Sequence, residues 1–431
     1  MNPNYKNTEV GTIPSEWKVK KVKQIANINE LNIDKNFKCE EIDYIDISSI
    51  KEGRITKTKR FLTDQAPSRA KRIVRDNDIL ISSVRPNLRH YTFIKKSAKR
   101  LIASTGFTII TSKRINPHYL YYYLTSDYYT RFLTCIADTH TSAYPAFTPD
   151  VIGSSLIPYP PDNEQDRIGN ILSNFDTKIE LNINFNRNLL LISRTLFNYW
   201  FIDLEFPNDS GNPYKSSGGK MVFSTKLGDE IPETWNVGSI GDLVQVQPGY
   251  AFRSVDFLEN GSIGVVKIRN ILDNIVDIKN TQYVSREIIS NLDDKYSINP
   301  GSILIAMTGA NVGKIGIVPK TKRELWLNQR VGMFKEKIDK GLYITYFMLT
   351  NDKFQRILRN RAFGTAQQNI SSTDIESIEI VIPPRELIAR FGLFFEPFYQ
   401  GIIQNLYENE KLSELRDTLL PKLVFGQLRV E

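Results

Sequence analysis

PPDNEQDRIGNILSNFDTKIELN, residues 160–182, returns as PPRELIARFGLFFEPFYQGIIQN, residues 383–405. The shift is 223 positions (383 − 160). It holds without a gap through Arg167/Arg390, Gly169/Gly392, Phe175/Phe398, Ile179/Ile402 and Asn182/Asn405, then on to Leu189/Leu412, Thr195/Thr418 and Leu196/Leu419. A double proline halts a strand pattern and biases the residue before it away from helix, so each copy marks a place where a long helix begins. After the second, Phe391, Phe395, Phe398, Ile402, Leu406, Leu412, Leu415, Leu419 and Leu423 recur at three- and four-residue steps, a heptad-like stripe. After the first, Ile168, Leu172, Phe175, Ile179, Ile183, Leu190, Leu196 and Trp200 do the same, with asparagines at 182, 184, 186 and 188 interrupting the middle. Two matching stripes can satisfy each other as an antiparallel pair, or each can pack on its own domain. A helix of about 36 residues is about 54 Å long, at about 1.5 Å per residue.

Outward from these helices the repeat continues. IPSEWKV (13–19) returns as IPETWNV (231–237), and RDNDILIS (75–82) as NPGSILIA (299–306). A period above 200 residues is a whole domain plus an appended helix, used twice. Each half opens with a strand-rich module whose β-branched runs are Ile42–Ile50, Ile79–Val84 and Phe107–Thr111 in the first copy, and Ile263–Ile271, Ile303–Met307 and Ile315–Val318 in the second. A short helix follows in each, over Pro117–Ser126 and Leu342–Asn351. The fold class is therefore mixed α/β: two similar strand-rich domains, over 1–160 and 231–384, separated by two long coiled-coil-like helices over 161–205 and 385–431. The Gly-, Pro- and Ser-rich stretch within 206–230 reads as a linker.

Composition bounds the function classes. With 431 residues, 41% hydrophobic and 24% charged, the chain has the make-up of a multidomain globular protein. No stretch approaches the length of an apolar membrane span, and no secretory signal opens the chain, so a cytoplasmic protein without a membrane partner is expected. Cys39 and Cys135 are far apart and read as structural thiols. The formal net charge of +8 suits a polyanion such as DNA, and equally RNA or a membrane surface.

Signals for chemistry are weak. GANVGK (309–314) is one residue short of a phosphate-binding loop and lacks the Ser or Thr that would hold magnesium. NPHY (116–119) lacks the second proline of an adenine-methyltransferase motif and reads as a helix start. His90, His118 and His140 show no metal spacing. The tyrosine run 119–124 suggests base stacking, but its counterpart ITYFML (344–349) puts apolar residues at the same places, which points to core packing. No catalytic residue, metal site or cofactor is expected.

The combination of this repeat with the IPxxW openings, GYAFRS (249–254), GSILIAMTGA (301–310), NISS (369–372), IPPRE (382–386) and the ending LRDTLLPKLVFGQL (415–428) resembles the specificity subunits of type I restriction–modification systems over nearly the whole chain. The resemblance implies two target-recognition domains, each reading one half of a split asymmetric site in double-stranded DNA. It implies helices that set the spacer and dock two methyltransferase subunits, restriction subunits in the full complex, and no active site in this chain. In the first half VRPN (84–87) stands where the second has TGAN (308–311), so residue roles transfer there less directly.

Base edges are read by Arg, Lys, Asn, Gln, Ser and Thr. Candidates follow the central strand of each domain and precede the double proline. They are Ser83, Arg85, Asn87 and Arg89, then Thr139, His140 and Tyr144, in the first domain. In the second they are Thr308, Asn311 and Lys314, then Arg361, Gln367, Gln368 and Asn369. Lys267, Arg269, Asn328 and Arg330 are weaker, phosphate-directed candidates. The alternatives are a helical scaffold binding only proteins, marked by absence of a sequence-selective footprint, and a fused enzyme, marked by methyl transfer from the chain alone.

Overall fold

The computed structural model describes residues 4–34, 37–51, 53–98, 100–139, 145–272, 274–362 and 368–430. Packing divides the chain into two compact units, one of residues 1–178 with 412–431 and the other of residues 179–411.

In the first unit, strand Ile79–Ser82 lies between Tyr91–Phe93 and Phe107–Ser112, with Ala26–Ile28 at the far edge, all antiparallel. Successive residues of the central strand are buried on opposite faces. Ile79 and Ile81 join a core with helical residues, while Leu80 joins Ile45, Leu101 and Ile109 against a second four-stranded sheet. Burial on both faces explains an unbroken apolar run instead of alternation. The second unit repeats this. Ile303 and Ile305 face one core, Leu304 and Ala306 another. In its central sheet Ile303–Ala306 sits between Val331–Glu336 and Ile315–Ile317.

The runs Ile42–Ile50 and Ile263–Ile271 are not single strands. Each stops early, at Ile45 and at Val266, and turns through a 3-10 segment, Ile47–Ser49 and Ile268–Asn270. The cause is a buried polar residue. The Ser49 hydroxyl accepts from the Asp46 N–H at 3.3 Å, and the Asn270 side chain accepts from the Lys267 N–H at 2.9 Å.

Helix α1 (Pro117–Leu124) is capped by Asn116, whose side chain accepts from the Tyr119 N–H. Tyr119, Tyr121, Tyr122 and Tyr123 are all buried, so this run is core. A second helix follows at once, α2 (Asp127–Asp138), which the sequence pattern did not announce; Ser126 caps it. The short α3 (Pro149–Ser154) leads back to strand Leu156–Tyr159 and then to α4 (Asp162–Phe197), closed by a π turn over Asn198–Ile202. The second unit follows the same order with α5 (Gly341–Thr350), α6 (Asp352–Ala362), α7 (Ser372–Glu376) and α8 (Arg385–Val424). No described helix is long and apolar enough to cross a membrane.

Both units contain pieces of α4 and α8, and in both the two run antiparallel. In the first unit the start of α4 meets the end of α8 and the tail after it: Asp176 pairs with Arg416, and Glu164 with Arg429. In the second unit Asn182 bonds Asn409 at 2.9 Å, Asn405 bonds Asn186 at 2.8 Å, and Phe197 packs edge-on against Phe391. The two Asn–Asn bonds are images of each other under the 223-residue shift. Here the expected stripe inverts. Asn182 and Asn186 are buried, while Leu181 is 60% and Phe185 55% exposed; Ile183 and Leu415, both expected inside, are also exposed. Buried asparagine pairs fix register at some cost in stability.

The segment after α4, which reads as a linker, is folded onto the second unit: Phe206 stacks on Tyr214, ring centroids 4.5 Å apart, and packs at a tilt against Trp235 at 5.1 Å. Both cysteines are free thiols. Cys39 is half-buried and Cys135 is exposed on α2, so Cys135 does not pack as a core residue.

Candidate nucleic-acid interface

The central strand of the second unit hands the chain to a polar loop. Gly309 donates its N–H to the Gln368 carbonyl at 2.9 Å, and Ile370 donates to the Met307 carbonyl at 2.9 Å. These bonds join the loop after the strand to the segment before α7, stretches some 60 residues apart in sequence, as the Thr308–Gln368 hydroxyl bond records. The 3-10 turn Gly309–Asn311 begins at a left-handed glycine, Gly309 (φ 71°), and a second, Gly313 (φ 84°), follows it. A strand, Ile315–Ile317, follows Lys314, where a nucleotide-phosphate loop would open a helix.

The structure therefore gathers Thr308, Asn311, Lys314, Gln368 and Asn369 at one edge. Their presentation differs. Thr308 is buried, and its hydroxyl is spent on the Gln368 carbonyl at 2.9 Å. Asn311 is half-buried and its amide reaches the Ile268 carbonyl at 3.4 Å; Lys314 and Gln368 are half-buried, and Asn369 is exposed. Arg361 is diverted from the edge: its guanidinium bonds the Ser377 hydroxyl at 2.7 Å and the Asp374 carbonyl, latching α6 to the end of α7. Gln367 lies outside the described residues. Of the weaker candidates, Arg269 and Arg330 are exposed and Asn328 is buried. Lys267 lies 3.4 Å over the Phe257 ring and donates to Gln282. Burial, with Arg269 nearby, pushes its pKa down.

The first unit builds the same clamp. Arg85 donates its N–H to the Pro145 carbonyl at 2.8 Å, and Phe147 donates to the Ser83 carbonyl at 3.0 Å. Arg85 (φ 48°) and Arg89 (φ 56°) take the left-handed positions that glycines hold in the other unit. Arg85 and Asn87 are exposed. Arg89 is half-buried and paired with Asp127 at the start of α2, 2.6 Å away. Ser83 turns into the sheet, its hydroxyl 2.9 Å from that of Thr108. Thr139 is exposed and its hydroxyl bonds the Ile136 carbonyl, closing α2. His140 and Tyr144 lie outside the described residues.

Sequence reasoning missed the helix beside each loop. Arg89 ties its loop to α2, and Gln355 of α6 donates to the Gly313 carbonyl at 2.9 Å. The available signal was Phe354, Leu358 and Ala362 at four-residue steps, directly after Asn351. Among the described residues no three His, Cys, Asp or Glu side chains cluster as metal ligands would.

The family model of the type I restriction modification DNA specificity domain matches this chain twice, at residues 14–189 and 232–409. The chain belongs to the specificity subunits of type I restriction–modification systems. As a member of that family it is a non-catalytic DNA-recognition subunit. Each match covers one copy of the internal repeat. The type I restriction enzyme MjaIX specificity subunit of Methanocaldococcus jannaschii is 29% identical, over 99% of this chain and 97% of that protein. The HindI specificity subunit of Haemophilus influenzae is 24% identical, over 84% and 89%. A crystal structure of the type I S subunit of M. genitalium shares the fold, with a TM-score of 0.54 and 17% identity over 98% of this chain and 99% of that one.

Proposed function

We propose that each unit reads one half of a split, asymmetric site in double-stranded DNA. The loop after the central strand and the segment before the short helix would enter the groove together. The observation that carries this reading is the repeated clamp, Arg85–Pro145 with Phe147–Ser83 and Gly309–Gln368 with Ile370–Met307, which in both units ties the loop after the central strand to the segment before the short helix. Base contacts fall to Arg85 and Asn87, with Arg89, Thr139, His140 and Tyr144 as further candidates and Ser83 as a support. In the second unit they fall to Asn311, Lys314, Gln367, Gln368 and Asn369, with Thr308 and Arg361 as supports. Arginine and asparagine or glutamine suit guanine and adenine edges respectively. The paired helices set the distance between half-sites. Their exposed apolar residues, Leu181, Phe185, Leu191 and Ile192 on α4 with Leu393 on α8, are the surface that docks the two methyltransferase subunits, and a restriction subunit joins these in the full complex. The chain works in the cytoplasm and needs no cofactor of its own.

Mapping methylated adenines in cells carrying this chain and its methyltransferase tests the reading. One split motif is expected. Gln368→Ala should relax one half by about 1–3 kcal/mol of discrimination, and Arg85→Ala the other. Equal loosening of both halves by either change defeats the assignment, and absence of any motif favours a scaffold that binds proteins alone.

A further inference from the structure

Helix α6 has one face in the core and one in solvent. Phe354, Leu358 and Ala362 are buried, whereas Lys353, Arg356 and Arg359 are exposed. At about 100° per residue the three cations fall within an arc of about 120°. Asn360 and the first-turn Asp352 share that arc, and no apolar residue does. Among the described residues no carboxylate pairs with any of the three.

This face is attached to the DNA-reading edge. Gln355 bonds the Gly313 carbonyl, and the Leu358 side chain lies 3.5 Å from where a Gly313 Cβ would be. The corresponding helix of the first unit, α2, aligns through Leu124-Thr125-Ser126-Asp127 and Leu349-Thr350-Asn351-Asp352. It puts Tyr128, Arg131 and Thr134 where α6 has Lys353, Arg356 and Arg359. Tyr128 is moreover held against Phe425, 5.2 Å between ring centroids. One cation stands where the other unit has three.

We propose that the basic face of α6 grips the phosphate backbone beside the half-site read by the second unit, independently of sequence, and that the first unit has no equivalent grip. This rests on the DNA-reading function above. Long flexible cations on a helix fixed to a reading loop suit phosphates: they set position and carry affinity without selecting bases.

The test is a salt titration. The full chain in complex with its methyltransferase is bound to a duplex carrying its site and to a scrambled duplex, with anisotropy read across KCl concentrations. The triple variant Lys353→Gln, Arg356→Gln, Arg359→Gln should lower the slope of log affinity against log salt by about 2–3, given about 0.9 per phosphate contact. It should weaken both duplexes by the same factor, on the order of tenfold or more at low salt, and leave the methylated motif unchanged. Arg131→Gln should lower the slope by about 1 at most. An unchanged slope in the triple variant overturns the grip while leaving the reading function standing. Loss confined to the specific duplex also overturns it, because the residues would then read bases. Loss of complex assembly with intact DNA binding assigns the face to protein instead. A wild-type complex that binds the two duplexes equally removes the reading function itself, and with it the half-site beside which the grip is placed.

Discussion

Trp17 and Trp235 occupy the same place in the repeat and are held by opposite means. Trp17 donates its indole N–H to Glu164 at 2.8 Å, and Glu164 is itself clasped by Arg429, which reaches on to Glu16 at 2.6 Å. Shifted by 223 positions, Glu164 becomes Leu387 and Arg429 becomes Phe206. Trp235 accordingly sits in an aromatic cluster with Phe206 and Phe201, and its buried N–H has no partner among the described residues. One backbone plan thus accepts either a charged clasp or an apolar one. The difference also discriminates. The chain end bearing Arg429 would meet leucine in place of Glu164 if it docked on the wrong unit, and the half-exposed guanidinium would lose its carboxylate partner. A duplicated scaffold keeps its two helix ends sorted by giving each a lock that the other cannot satisfy.

The comparison breaks most visibly at the tryptophans. Trp→Phe removes the same volume from both sites, so the difference isolates the N–H. Trp17→Phe leaves buried Glu164 short of a donor and should destabilise its unit by about 1–3 kcal/mol more than Trp235→Phe destabilises the other. Two units need not unfold together, so amide exchange read separately over 5–28 and 229–248 is the appropriate measurement. Equal losses would mean that the Glu164 clasp contributes nothing beyond packing.

A second contrast lies at the 3-10 turns, where Asp46 in one unit stands at the place of Lys267 in the other. Burial works to raise the Asp46 pKa, but hydrogen bonds from Ser48, Lys59 and Ser49 outweigh it and hold the carboxyl at about 2. A folded-state value below the unfolded one stabilises the fold above the ordinary carboxylate pKa, and that stability is lost as pH falls. The first unit should therefore lose about 1–2 kcal/mol from this group between about pH 5 and pH 2, after allowance for partial exposure. Lys267 cannot titrate in that range. Thermal unfolding of the wild type should fall more steeply with acid than that of Asp46→Asn. Parallel slopes would assign the acid sensitivity elsewhere.

Much of this was readable in advance because it rests on repetition and periodicity. The gap-free 223-residue shift gave both helix starts, and the runs at Ile79 and Ile303 gave the central strands. What escaped has physical reasons. Asn182 and Asn186 go inside and Leu181 and Phe185 outside because each asparagine finds a partner on α8, a fact of tertiary pairing that no single helix displays. Helix α6 was hidden because its polar residues outweigh three buried ones at four-residue spacing, and α2 because the exposed Tyr128 and Phe132 blur its period. The polar edge was half legible: residue type singled out Arg85, Asn311 and Gln368, and the fold brings each to a clamped loop or segment. Nothing local revealed that Ser83 and Thr308 would spend their hydroxyls within the fold, or that Arg361 would latch α7.

The finest contrast is at the left-handed turn that opens the loop after each central strand. Gly309 adopts φ 71° at no steric cost, and a Cβ there would meet nothing nearer than 3.9 Å. Gly309→Ala should therefore cost about 1 kcal/mol, all of it backbone. Arg85 holds φ 48° at the matching position with a full side chain, so its unit already carries a strain of that size. Arg85→Gly should relieve it, offset in part by glycine's greater freedom when unfolded, for a net gain below about 1 kcal/mol. Stability and recognition should then move in opposite directions. The variant should melt no lower than the wild type, yet its complex should lose preference at one half-site in methylation mapping. If Arg85→Gly kept that preference, the strained arginine would have no part in reading DNA, and the base contacts of the first unit would pass to Asn87 and its neighbours.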